Sequence, residues 1–194
     1  MRFGPIAAIF TGIVAGALLT ILAELLLVYS IVRSGALPAN ADAQPPSLER
    51  WIAQTSLRAA IQREAPRDDN PVQPTGANLS AGMKSYVANC AVCHGVADGN
   101  ATNVAAGLYQ RPPQFGAHGV EDDPAGVTYW KIYHGVRFTG MPSYAATLTD
   151  NEIWQVTAFL SNMDRLPASV HAQWKKARAP ETIAPTALQM HGRR

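Results

Sequence analysis

Cys90-Ala91-Val92-Cys93-His94 decides how the rest of this 194-residue chain is read. The chain has 2 cysteines and both stand here. Three positions apart, they cannot staple distant loops, and a zinc site would need a second pair of soft ligands that the sequence does not offer. A redox dithiol belongs in a βαβ setting and has no need of the histidine that follows directly. The pattern that fits is the haem-attachment motif C-x-x-C-H. Each thiol adds across one vinyl group to form a thioether, the two intervening residues span the two vinyls, and the adjacent histidine is delivered beneath the iron. Cys90 and Cys93 are the expected covalent anchors of a single haem c, and His94 the expected first axial ligand.

Helical signals surround the motif. Leu79 to Ala91 reads as a helix with Asn78 as its N-cap. Asp123-Pro124 opens another, with Asp as cap and Pro at the first helical position, running to His134 where Gly135 stops it. Thr149-Asp150-Asn151-Glu152 is a capping box, followed by Ile153, Trp154, Val156, Phe159 and Leu160 on one apolar side. No stretch carries a strand pattern, so an all-α domain with long loops is expected.

From about residue 76 to 165 the chain resembles a class I cytochrome c domain. Gly82, Tyr86, Cys90, Cys93, His94 and Gly95 stand at that family's spacing, G-x-x-x-[FY]-x-x-x-C-x-x-C-H-G. The resemblance implies that Gly82 lets the helix before the motif cross the last helix closely, with Tyr86 and Phe159 packed at the crossing. A helix without a side chain at that point can approach another backbone. The segment Phe138-Thr139-Gly140-Met141-Pro142-Ser143-Tyr144 resembles the family's T-G-M-P stretch, which makes Met141 the expected sixth iron ligand. Pro142 disfavours helix at Met141. His134 is the alternative ligand, at a position where related domains often have Asn. Pro113, within Pro113-Gln114-Phe115, resembles the proline whose carbonyl receives the ligand histidine's other N–H, with Pro112 as the alternative. Arg111, Trp130, Tyr109 and Arg137 are candidate donors to the haem propionates. A His/Met pair favours ferrous iron and fills both axial positions, which argues against catalysis at the iron.

Working outward to the N-terminus, Ile6 to Val32 is apolar apart from Thr11, Thr20, Glu24, Tyr29 and Ser30. About 20 such residues cross a bilayer, and secretory signals have shorter apolar regions, so an uncleaved membrane anchor is expected. The competing reading, cleavage at Ala39-Asn40-Ala41, places the site well beyond the apolar run. Arg2 and Arg33 flank the span symmetrically and do not orient it. Haem attachment outside the bacterial cytoplasm does, putting the haem domain on the periplasmic side of the inner membrane. Gly12, Gly16, Thr20 and Glu24 recur every four residues, a spacing that suits packing against a second membrane subunit.

The organisation expected is all-α: a transmembrane anchor (1–33), a linker (34–75) holding an extra helix at about 47–65, the class I cytochrome c domain (76–165) and a basic C-terminal extension (166–194). In the extra helix, Ser47 is the expected N-cap, Leu48 to Glu64 the body, and Trp51, Ile52, Thr55 and Ala59 form a stripe expected to pack on the haem domain or a partner. The net charge of +2 is too small to suggest nucleic acid. Residues 75–165 carry 5 Lys and Arg against 7 Asp and Glu, whereas 166–194 carry 5 basic residues and Glu181 alone, an asymmetry suited to orienting against partners or lipid. The function expected is single-electron transfer in a respiratory or dehydrogenase chain. The redox partners would be a quinol-oxidising complex, a dehydrogenase or a terminal oxidase. The protein would act as a tethered carrier or as a subunit of a membrane complex, not as an enzyme in its own right. The rival is a peroxidase-like haem enzyme or sensor whose sixth ligand is displaced.

Overall fold

The computed structural model describes residues 4–36 and 38–179. Arg2, and the tail from residue 180 with Glu181 and Met190, lie outside the described residues. The chain divides into two compact units at Ala43/Gln44. The first holds one long helix, α1 (Pro5–Arg33), with Pro at its start and Arg33 in its last turn. Its Ile9–Arg33 stretch has a mean hydropathy of 2.2 and none of it is buried, so by length and composition it suffices to cross a membrane. Gly12 and Gly16 have open space where a Cβ would stand, and Thr20 bonds back to the Gly16 carbonyl at 3.0 Å.

The second unit contains α2 (Ser47–Glu64), α3 (Gly76–Asn89), α4 (Ala91–His94), α5 (Asn103–Gly107), α6 (Ala125–His134), α7 (Asp150–Leu160), a 3-10 turn at Met163–Arg165 and α8 (Ala168–Lys176). Among the described residues there is no strand. The capping box at Thr149 and Glu152 forms as its sequence requires. Hydrogen bonds from Thr149 hold the Glu152 carboxyl below the usual carboxylate range, so its stabilising effect is present at neutral pH and fades as pH falls through that lowered value.

Three helix starts differ from the sequence expectation. Helix α3 begins three residues early because Thr75, not Asn78, accepts from the first turn, while the Asn78 amide bonds the Gln73 carbonyl. Pro124 occupies the cap of α6, and Asp123 instead pairs with Lys131 at 3.0 Å. Ser47 is the first helical residue of α2, with Pro46 at the cap.

The core forms where α3 crosses α7. A Cβ on Gly82 would stand 2.0 Å from the Gln155 carbonyl oxygen and 3.1 Å from Phe159 Cβ, so only a residue without a side chain permits this approach. Leu79, Met83 and Tyr86 from α3 meet Ile153, Val156, Phe159 and Leu160 from α7 there, all buried. Besides the short turns α4, α5 and Met163–Arg165, the element the sequence did not predict is α8. It lies within the basic extension, yet Val170 and Trp174 are buried in the same core. The Trp174 ring meets Tyr86 and Phe159 edge-on at 5.7 and 5.3 Å, and its indole N–H donates to the Gly116 carbonyl at 2.8 Å.

The segment between α2 and α3 is stitched to this body: the Asn70 side chain donates to the Trp154 carbonyl at 3.0 Å. Helix α2 rests on α6. Its half-buried residues are Leu57, Ala60 and Ile61, on the face opposite Trp51, so the expected stripe points to solvent.

The crossing predicts its own mutational contrast. Gly82→Ala should overpack the interface at a cost of ~1–3 kcal/mol. A domain of this size loses roughly 4–8 °C of Tm per kcal/mol. Gly76→Ala, at the start of the same helix with nothing within 4 Å of its Cβ, should leave Tm unchanged or raise it. Thermal melts of the two variants against the parent check both.

Candidate haem crevice

The motif sits where α3 ends and the chain makes the single turn α4. Tyr86 ties this turn to the core: its fully buried hydroxyl donates to the Gly95 carbonyl at 2.9 Å, beside its ring contacts with Phe159 and Trp174. Burial pushes that phenol far above its ordinary value, so it remains a neutral donor. Packing of α3 on α7 thus fixes where the motif points.

The motif opens onto a crevice of about 360 Å³. Three stretches distant in sequence line it. Cys90, Val92, Cys93 and His94 come from the motif, Leu108 and Gln110–Pro113 come from one loop, and Ile132, Val136 and Thr139–Pro142 with Tyr144 come from the end of α6 and the segment after it. Cys90, Cys93, His94 and Met141 therefore share one cavity, with Arg111 and Pro113 also in its lining. Trp130 does not line it. Its buried ring lies against His134, on the side where α2 packs. His134, Tyr109 and Arg137 also fall outside the lining.

Each wall has its own support. His94 Nδ1 lies 2.9 Å from the Pro113 carbonyl, and the imidazole stacks on Phe115 with ring planes 6° apart at 5.1 Å. The Pro112 carbonyl is engaged elsewhere, accepting from Gln114, whose amide also bonds the Cys93 carbonyl at 2.9 Å. Met141 is held by a tight turn: the Val136 N–H donates to the Met141 carbonyl at 3.1 Å, and the Met141 N–H donates to the Thr139 hydroxyl at 3.1 Å. Phe138 within that turn has φ 61°, a left-handed conformation unfavourable for an aromatic residue. Gly135 ends α6 at φ 68°, and a Cβ there would stand 2.5 Å from Pro142. The Tyr144 hydroxyl donates to the Asn89 carbonyl at 2.8 Å, joining the Met141 segment to the end of α3.

The chemistry of the lining suits a haem c. The walls carry Val92, Leu108, Ile132 and Val136, which offer apolar contact to a macrocycle. Both cysteines face the same cavity, and neither is tied up in a disulfide. Burial, with Cys93 nearby, pushes the Cys90 thiol up to about 12, and burial raises Cys93 as well. Burial lowers the His94 pKa, against the opposing effect of Pro113, so the imidazole is neutral and Nε2 keeps a lone pair for a metal. Among the described residues no cluster of three or more His, Cys, Asp or Glu could hold a separate ion.

Residues 77–160 match the family model described as cytochrome C oxidase, cbb3-type, subunit III. Residues 77–160 are a c-type cytochrome domain. That family uses haem c and transfers electrons, and the all-helical architecture found here agrees with it. A chain of the Kuenenia stuttgartiensis reducing HAO-like protein complex is 26% identical, with 54% of this chain and 53% of that chain covered at a TM-score of 0.40. The cytochrome chain thus spans about half the length of that structure. Among curated proteins none matches.

Sequence reasoning passed over Tyr144 and Gln114. Both were within reach of it: Gln114 stands inside the quoted Pro113-Gln114-Phe115, and Tyr144 closes the segment around Met141. Tyr144→Phe should remove the link from the Met141 segment to Asn89 at a cost of ~1 kcal/mol. Amide hydrogen exchange at Thr139 and Met141 should speed up relative to the parent, while exchange in α7 stays unchanged.

Proposed function

We propose that this cytochrome is a membrane-tethered, monohaem electron-transfer protein. Cys90 and Cys93 would attach the haem covalently, and His94 and Met141 would bind its iron. The observation that supports this most is the convergence of those four side chains, separated by up to half a domain in sequence, on one apolar crevice. When bound, the haem supplies a one-electron ferric/ferrous couple. The chain's part is to hold and insulate it. The Pro113 carbonyl orients His94 and keeps Nε2 directed away from itself. The turn from Val136 to Met141 presents the thioether, which favours the reduced state. Arg111, exposed at the crevice, is the remaining candidate for a propionate.

Helix α1 supports tethering in the bacterial inner membrane, and haem attachment outside the cytoplasm supports a periplasmic domain. The family description names an oxidase subunit, which supports a place in a respiratory chain, delivering electrons to or within a terminal oxidase. A quinol-oxidising complex or dehydrogenase would be the donor, and a second membrane subunit packed on the face of Gly12, Gly16, Thr20 and Glu24 would hold the chain in such a complex.

Intact mass under denaturing conditions tests the attachment. The parent should carry the mass of one haem, and the paired change of Cys90→Ser and Cys93→Ser should carry none. Carbon monoxide tests the sixth ligand: the reduced parent should resist binding and Met141→Ala should bind readily. A parent that binds carbon monoxide as readily as Met141→Ala would favour the enzyme or sensor reading.

A further inference from the structure

The apolar stripe on α2 is built for an occupant that the haem domain does not supply. The domain takes the opposite face, where Leu57, Ala60 and Ile61 are half-buried. Leu48, Trp51 and Ile52 are left 65%, 63% and 53% exposed. Three large apolar side chains side by side on one helix face, one of them Trp, mark a contact surface. Helix α2 also lies outside the matched cytochrome domain, so the stripe is no part of that domain's own core.

We propose that α2 is an interfacial helix, and that the partner seated on Leu48, Trp51 and Ile52 is a lipid surface. This rests on the reading of α1 as a membrane span. Three features favour lipid. The connector 34–46 reaches at most about 45 Å when fully extended, so α2 cannot leave the neighbourhood of a bilayer crossed by α1. Trp with Leu and Ile on one face is the composition of helices that lie in the headgroup region, where the indole's apolar body and polar N–H are both accommodated. Arg58 borders the stripe at helical spacing, and a long cationic side chain at such a border reaches the phosphates while its stem covers apolar surface, whereas Arg63 at the other border is paired with Glu64. Helix α2 is fastened to α6 through its other face, so its seating would hold the haem domain in one orientation at the membrane instead of letting it swing on a free linker.

The test uses the haem-loaded full chain in vesicles of phosphatidylethanolamine and phosphatidylglycerol, with bimane on one added cysteine at a time. On Ile52→Cys the probe should be quenched by lipid brominated in its acyl chains and shielded from iodide. On Gln54→Cys, off the stripe, iodide should quench it and brominated lipid should not. A probe on Leu22→Cys, inside α1, reports the anchor independently. If Leu22→Cys is quenched by brominated lipid while Ile52→Cys is as open to iodide as Gln54→Cys, the interfacial helix is overturned and the anchor stands. If Leu22→Cys is itself open to iodide, the anchor reading fails and the proposal falls with it. Shielding of Ile52→Cys in native membranes but not in vesicles would assign the stripe to a protein and overturn the lipid assignment.

Discussion

Contact between the backbones of α3 and α7 at Gly82 is the constraint on which the rest of the domain depends. With the Gln155 carbonyl 2.0 Å from where a Cβ would stand, the two helices are as close as their main chains allow. That proximity puts Tyr86 between Phe159 and Trp174, and the Tyr86 hydroxyl then reaches Gly95. Gly95 directly follows the motif, so the position of Cys90, Cys93 and His94 is inherited from a helix crossing well away from the crevice. A side chain at Gly82 would disturb the crevice without touching it.

The crevice has a second support independent of that crossing. The turn from Val136 to Met141 is closed by its own hydrogen bonds and fastened to α3 by Tyr144. The Pro113 loop is fastened by Gln114 and by the Phe115 stack on His94. The Pro113 loop and the Met141 segment are thus each bonded to the motif or to the end of α3 beside it. Phe138, in a left-handed conformation and almost wholly exposed, shows that the Met141 turn is held against its own backbone preference.

What the sequence revealed, and what it hid, follows from the kind of physics involved. The capping box at Thr149 was legible because it rests on a short spacing with a local cause, and the close crossing at Gly82 because the resemblance to the class I cytochrome c family implies it. The choice of Pro113 over Pro112 came from the resemblance of Pro113-Gln114-Phe115 to the family's stretch, and the His94 contact to the Pro113 carbonyl agrees with it. Trp174 was hidden because a single aromatic in a polar, basic stretch has no periodicity, and only the cavity beside Tyr86 and Phe159 shows that it is core. Trp130 looked like a propionate donor because an indole N–H is a chemically apt donor, yet the helix phase of α6 turns it toward α2. Helix α2 carries two apolar faces, and sequence alone does not say which of them a domain will cover.

The central claim is that one iron sits between His94 and Met141 in this crevice. Proton NMR of the reduced full chain addresses it directly, because a methionine bound to ferrous haem has its methyl group pressed against the ring, where the ring current drives the resonance far upfield of every other methyl. The account predicts one such methyl resonance, lost in Met141→Ala and retained in Met163→Leu. A parent spectrum with no upfield methyl, or one whose upfield methyl survives Met141→Ala, would contradict it.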